Sequence, residues 1–223
     1  QAQKYKGGAS FKGFIQNIKA EAVDLLSESE KVALADVLEG KNLQDVALNY
    51  DMNRKFVKEY STEELVKEIE KGLSGRDFAH GKKMFATVAC YGCHYFSGEG
   101  GSAGPDLTGV SGRFNAHDLI ESVVAPSRTI SDQYQSTIFE LKDGSDVIGR
   151  VANLAGDNLM VITDMLAPGD FTNIAREKIE STRLSTVSQM PEGLLNSLSL
   201  EEIKDLIAYL LSGGDSGSSL FRK

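Results

Sequence analysis

Cysteine is scarce in this chain: 223 residues contain two, and histidine occurs three times. Two cysteines cannot build a disulfide framework. A structural zinc site draws four ligands, usually from two Cys/His pairs, and the sequence has no second pair. Basic residues are also in deficit, 24 Lys and Arg against 32 Asp and Glu, for a formal net charge of -8. That sign argues against nucleic acid as a partner, because the phosphate backbone attracts cations. A partner that docks by charge is expected to carry a basic patch. No apolar run approaches the ~18 residues of a membrane span, so none is expected. Gln1 is not an initiator residue, which leads us to expect a processed or excised chain. With 41% hydrophobic and 25% charged residues, what remains is an ordinary globular composition for one or two domains.

What is present is concentrated in one stretch. Both cysteines stand in Cys90-Tyr91-Gly92-Cys93-His94. A redox dithiol would share the Cys-x-x-Cys spacing, but it usually opens a helix within a βαβ unit. Here the preceding Gly81–Ala86 segment reads as helical and no βαβ pattern surrounds it. A simple disulfide would close a tight two-residue loop. The histidine directly after the second cysteine points to covalent haem instead: each sulfur adds to one porphyrin vinyl group, and the imidazole reaches the iron from the proximal face. One haem c, with its iron, is therefore expected through Cys90 and Cys93. Covalent attachment of this kind implies a periplasmic or otherwise extracytoplasmic protein.

The rest of the chain reads as mainly α, with a small β insert, α+β overall. Residues 1–61 are expected to be a polar tail to about residue 12, followed by a helical extension. Its first helix carries Phe14, Ile15, Ile18, Ala22, Val23 and Leu26; Ser27 to Glu30 fits a capping box, and a second helix runs through Val32, Leu34, Val37 and Leu38 to a stop at Gly40. Leu43, Val46 and Ala47 add a turn, and a charged connector spans 50–60. Residues 62–133 and 188–214 are expected to form the haem domain. Ser61 to Glu64 is a second capping box. Gly81 and Phe85, four apart, share a helix face, where the glycine admits another helix closely and the phenylalanine packs on it. The glycines 98, 100, 101 and 104 lack the Gly-Lys-Ser/Thr of a phosphate loop and are expected to lie against the porphyrin edge. Proline has no N–H, and the Pro105 carbonyl is well placed to accept from the second ring nitrogen of His94. Asn115 is expected to cap a helix stopped by Pro126.

From Tyr134 to about Leu184 the period changes to two. Strands are expected at Gln135–Lys142, Asp146–Ala152, Asn158–Thr163, Phe171–Arg176 and Ile179–Leu184, with Asp143-Gly144, Gly156-Asp157 and Pro168-Gly169-Asp170 as turns. Residues 134–187 thus form an inserted small antiparallel barrel or sheet. Ser199 to Glu202 caps a last amphipathic helix, and residues 215–223 are a flexible tail apart from whatever Phe221 touches.

A haem with two axial ligands, His and Met, is an electron-transfer arrangement. Met190, in a loop stiffened by Pro191, is the expected second ligand. Met84 is too near the attachment site, Met160 and Met165 lie among the strands, and Met52 is in the connector. His80 and His117 are the rivals. Arg113 and Tyr134 are candidates to bond the haem propionates.

These residues resemble class I c-type cytochromes through Phe85, Cys90-x-x-Cys93-His94, Gly104-Pro105-x-Leu107, and Met190-Pro191 before a helix ending Ala208-Tyr209-Leu210. The similarity is greater to a subgroup typical of planctomycetes, a C-terminal haem-binding domain, over about residues 62–214. It includes Gly100–Val110, Ser131–Tyr134, Asn153–Asp157 and Met190–Leu195. The resemblance implies a mono-haem electron-transfer domain with His94 and Met190 as axial ligands and the Pro105 carbonyl as partner of His94. The β stretch between the attachment motif and the methionine departs from ordinary class I chains and is shared with the subgroup.

Two functions follow. The first is an electron carrier, not an enzyme, whose implied donor is a periplasmic dehydrogenase or cytochrome and whose acceptor is another cytochrome or an oxidase. The second is a haem enzyme or sensor, peroxidase-like or gas-binding, with an open or displaceable distal site. A third option, a haem-anchored interaction module built on the β unit and the N-terminal helices, would be separated by deleting 134–187. Oligomeric state is left open.

Overall fold

The structure is a computed structural model that describes residue 18 and residues 20–33, 54–165, 167 and 169–222. The chain divides into two compact units, 1–45 and 46–223. In the first, residues 20–25 are helical and α1 follows at Glu28–Ala33. Ser27 and Glu30 cap it reciprocally: the Ser27 N–H donates to Glu30 Oε2 at 2.8 Å, and the Glu30 N–H to Ser27 Oγ at 3.4 Å. The expected tail at 1–12, the first half of the first helix, the second helix beyond Ala33, the turn at Leu43–Ala47, and Met52 lie outside the described residues.

In the second unit the helices are α2 Thr62–Glu70, α3 Phe78–Thr87, the single turn α4 Cys90–Cys93, α5 Ala116–Val124 and α6 Leu200–Leu211. Four of them start on a side chain that accepts an orphan N–H: Ser61 from Glu64, Asp77 from His80, Asn115 from Asp118 and Ser199 from Glu202. At Ser199 the box is complete, with Glu202 reaching back to the cap N–H. At Ser61 the Glu64 carboxylate turns to Lys58 Nζ, so the pairing of a cation replaces the return bond expected there.

Apolar faces of these helices meet in one core containing Leu65, Ile69, Phe85, Phe96, Ile120, Ile203, Ile207 and Tyr209. Its tightest point is the crossing of α3 and α6. A Cβ on Gly81 would stand 2.3 Å from the Asp205 carbonyl oxygen and 2.8 Å from Tyr209 Cβ, so the two backbones touch where the side chain is missing. Phe85, one turn on, is fully buried beside it and packs edge-on to Tyr91 at 4.5 Å and tilted against Tyr209 at 5.9 Å. Beyond α6, where the sequence predicted a flexible tail apart from Phe221, the chain is laid back onto α3: the Arg76 N–H donates to Leu220 O at 2.9 Å, and Phe221 stands edge-on to Phe78 at 5.3 Å.

Between α5 and α6 lies a five-stranded antiparallel sheet: β3 Thr137–Leu141, β4 Asp146–Ala155, β5 Asn158–Ile162, β6 Phe171–Ala175 and β7 Ile179–Leu184, in the order β6-β5-β4-β3-β7. Phe139, Val161 and Ile174 form its own small core, flanked by Leu141, Val147, Leu159 and Ile179. β4 runs to Ala155 rather than stopping at Ala152, because a register shift between Val151 and Asn153 absorbs one residue as a bulge and lets the pairing with β5 continue.

Two consequences are measurable. Gly81→Ala is expected to destabilise the protein by about 3 kcal/mol in chemical denaturation, near the top of the overpacking range, because the obstructing atom is backbone. Glu202 also receives a two-pronged bond from Arg54 Nη2, at 2.8 and 2.7 Å. Partial burial opposes its charge, but Arg54 and the Ser199 N–H and hydroxyl outweigh that and hold the carboxyl below the ordinary range. A depressed folded-state pKa adds stability above the unfolded value of about 4.3 and loses it as pH falls through the folded value. Glu202→Gln is therefore expected to cost stability at pH 7, with the difference from the parent shrinking as pH falls below about 4.3 and vanishing only below the depressed folded value.

Candidate functional site

The end of α3 turns directly into the cysteine motif. Val88 and Ala89 close back onto Met84 O and Ala86 O at 3.0 and 3.1 Å, and Ala89 takes the left-handed conformation at φ +69°. That conformation costs an alanine about 1–2 kcal/mol, and it starts α4 at once. The turn Cys90–Cys93 then presents both thiols, and the His94 N–H closes it onto Cys90 O at 2.8 Å. Cys90 packs against the helical core. The two sulfurs are not joined to each other in a disulfide. Burial pushes the Cys90 thiol up to about 12. Burial, and after it the Asp164 carboxylate, raises that of Cys93 as well. A dithiol oxidoreductase needs the opposite, a thiol whose pKa is lowered toward neutrality.

After His94 a two-residue hairpin forms, β1 Tyr95–Phe96 against β2 Glu99–Gly100, where the sequence predicted only a glycine-rich loop. Its central residues Ser97 and Gly98 both have positive φ, as such a tight turn demands. The glycines that follow approach the motif's own backbone. A Cβ on Gly100 would meet His94 O at 2.0 Å, and one on Gly101 would meet Gly92 O at 2.3 Å. The Gly101 N–H donates to Tyr91 O at 2.8 Å, and the Gly104 N–H to Cys93 O at 2.7 Å. Gly104 itself lies under the imidazole: a Cβ there would be 2.8 Å from His94 Cε1.

The next residue fixes the histidine. His94 Nδ1 stands 2.8 Å from Pro105 O. A carbonyl oxygen only accepts, so Nδ1 carries the proton and Nε2 keeps its lone pair. Burial holds the imidazole's pKa below its ordinary value, with the Pro105 bond working the other way. A neutral ring with Nε2 unprotonated is the form that ligates a metal.

Arg113 clasps the turn after Pro105, donating through Nη2 to Asp106 O at 3.2 Å and through Nε to Gly109 O at 3.4 Å. Tyr134 is half-buried, with the Arg150 guanidinium 5.2 Å above its ring centroid. Met190 is half-buried in the loop between β7 and α6, its N–H donating to Ser188 Oγ at 3.1 Å, and the Ser188 N–H to Ser127 Oγ at 3.1 Å. The end of that loop is strapped by the connector: Val57 and Lys58 N–H groups share Asn196 O, and the Tyr60 hydroxyl donates to Leu198 O at 3.0 Å. The fold thus joins Cys90, Cys93, His94 and Pro105 in one construction and brings Arg113 to its edge. No described hydrogen bond ties Met190 to them. Of the rivals, His80 Nδ1 is paired to Asp205 Oδ2 at 2.8 Å, His117 lies beside Asp118 on the surface, Met84 is buried in the core, and Met160 and Met165 are half-buried in or beside β5.

Sequence reasoning missed Arg150 and Asp164, which reach the motif region from β4 and from the end of β5. Arg150 Nη1 donates to Ala103 O at 3.0 Å. Arg150 has no local signal, since a charged residue in an alternating strand reads as solvent-facing, and Asp164, just past β5, reads as an ordinary polar loop residue.

These residues fit a covalently held haem. The cysteines share one turn with the histidine, the ring presents a lone pair, and Gly104 leaves space where a side chain would strike the ring. Among the described residues no group of three or more His, Cys, Asp or Glu is placed to hold a metal ion, so the donor set does not suit a carboxylate or zinc centre. Gly104→Ala is expected to displace the imidazole from Pro105 and to cost about 1–3 kcal/mol, read by denaturation and by loss of the hydrogen-bonded His94 ring N–H signal in NMR. Gly112→Ala, where a Cβ meets nothing within 4 Å, is the control that leaves both unchanged.

Residues 78–141 match the family model described as Cytochrome c. The match begins at the first residue of α3, takes in the cysteine motif, His94 and Pro105, and ends in β3. No curated protein matches the chain. The family match supports a c-type cytochrome, a haem-binding electron-transfer protein with covalently bound haem c.

Proposed function

We propose that this chain is an electron carrier with one haem c bound through Cys90 and Cys93, and with His94 and Met190 as the axial ligands. The observation that carries this reading is the Nδ1–H of His94 donated to Pro105 O at 2.8 Å, directly after the paired cysteines. That bond fixes the tautomer, aims Nε2 and raises the basicity of the ligand. When bound, the haem supplies a one-electron iron couple. The chain's own residues do the rest. Cys90 and Cys93 hold the macrocycle, and the glycines let the loop close on the motif. Met190, in a loop tied by Ser188 and Ser127, would supply a soft thioether as the second protein ligand to the iron.

The single Cys-x-x-Cys-His in 223 residues supports one haem. The β insert between His94 and Met190 supports kinship with the planctomycete-type haem-binding domains. The division into a helical extension at 1–61, a haem domain at 62–133 and 188–214, an inserted β unit at 134–187 and a terminal segment at 215–223 belongs to the same reading. We place the protein outside the cytoplasm, where such haems are attached, with a dehydrogenase or cytochrome as donor and a cytochrome or oxidase as acceptor. No described helix is long and apolar enough to cross a membrane. Arg113, on the rim of the Pro105 turn, is the candidate for a propionate.

The ferric spectrum of the purified protein tests the reading. A weak band at about 700 nm marks methionine on the iron. Met190→Ala is expected to abolish it, lower the reduction potential and admit cyanide. A high-spin ferric spectrum in the parent would favour the enzyme or sensor reading, and a spectrum untouched by Met190→Ala would assign the sixth position to another residue.

A further inference from the structure

We infer that Arg150, carried by the inserted sheet, is a positioning residue for His94. It holds residues 100–105 shut on the imidazole by occupying the Ala103 carbonyl, so that the β insert takes part in setting the reduction potential. This rests on the haem reading above. Beyond the pairing of Gly100 with Tyr95 in the β1–β2 ladder, four described hydrogen bonds hold the loop. Three face the motif: the Gly101 N–H on Tyr91 O, the Gly104 N–H on Cys93 O, and Pro105 O on His94 Nδ1. The fourth faces outward, where Ala103 O accepts from Arg150 Nη1 at 3.0 Å. Ala103 is buried, and removing Arg150 would take away the hydrogen bond described for its carbonyl. Ala103 also directly precedes Gly104, the residue under the imidazole ring, and any loosening there passes into the Pro105 bond one residue later.

The arginine is itself held on two sides. Its guanidinium lies over the Tyr134 ring at 5.2 Å, a cation–π contact. Its strand position is locked by its neighbour: a Cβ on Gly149 would meet Ile162 O at 2.3 Å and Val161 Cγ1 at 2.6 Å, so β4 and β5 are pressed together and Arg150 stays opposite Ile162.

The sign of the potential shift separates positioning from plain charge. Removing a cation near the iron favours the ferric state and lowers the potential. Weakening the Pro105 bond makes His94 a poorer donor to ferric iron and raises it. In the holoprotein, Arg150→Ala is expected to raise the potential and to speed amide exchange at Gly101 and Gly104 while α6 amides keep their protection. Tyr134→Leu, which changes no charge, is expected to shift both readouts in the same direction by less. Arg150→Lys, which retains a donor and the charge, is expected to restore part of each and serves if the alanine variant does not fold. A lower potential with unchanged exchange in Arg150→Ala would overturn positioning in favour of a charge effect, and no change in either readout would overturn it outright. Absence of covalent haem in the mass of the parent protein would sink the haem reading instead, and the exchange rates at Gly101 and Gly104 would still decide whether Arg150 holds the loop.

Discussion

Two helices can meet as closely as α3 and α6 do only if one of them has no side chain at the contact. Gly81 provides that gap, with the Asp205 carbonyl and Tyr209 Cβ filling the space where a methyl group would be. The rest of the helical domain follows from this contact. It brings Tyr209 against Phe78, Phe85 and Phe96 in an aromatic cluster with centroids 5.1 to 5.9 Å apart. Asp205 shares the crossing and receives the Asp77 N–H at 3.2 Å and His80 Nδ1 at 2.8 Å, which satisfies its own carboxylate there, while the buried Nε of the neighbouring Arg76 has no hydrogen-bond partner.

The site is built on the same principle of close backbone approach. Gly100, Gly101 and Gly104 each lie where a Cβ would collide with the motif or with the histidine ring. The glycine-rich stretch lies against the backbone of residues 92–94 and the face of the imidazole. The order is economical in covalent terms: the histidine's partner carbonyl comes eleven residues after the histidine, so the ligand and its support fold as one local unit. The neighbouring polar groups are less local. Tyr91 hydroxyl contacts Glu99 and Tyr209, and Glu99 is paired with Lys82, which joins α3, α4 and the hairpin beneath the motif.

Much of this was legible because the deciding physics is local. The turn glycines 144 and 156 take positive φ, as Asp-Gly and Gly-Asp turns require, and they delimited β3, β4 and β5 to within a few residues. Ser199 with Glu202, Asn115, and the Gly81–Phe85 spacing each carried their outcome in the sequence for the same reason. What could not be read depended on distant partners. The bulge in β4 is decided by its pairing with β5, and the return half of the Ser61 box was lost to Lys58. Arg150 bonds a carbonyl 47 residues earlier in the chain. The β1–β2 ladder is only two residues long on each side and carries no periodicity at all.

The connector ahead of α2 has a mechanical aspect. Arg54 holds both carboxylate oxygens of Glu202 through Nη2 and donates through Nε to Ser197 O at 3.1 Å, and Val57 and Lys58 are pinned to Asn196 O. Traction on the polypeptide leading into Arg54 would be borne first by these anchors, all of them on the segment that runs from Met190 into α6. The loop with the methionine is therefore in series with the strap, and tension could reach it without crossing the helical core.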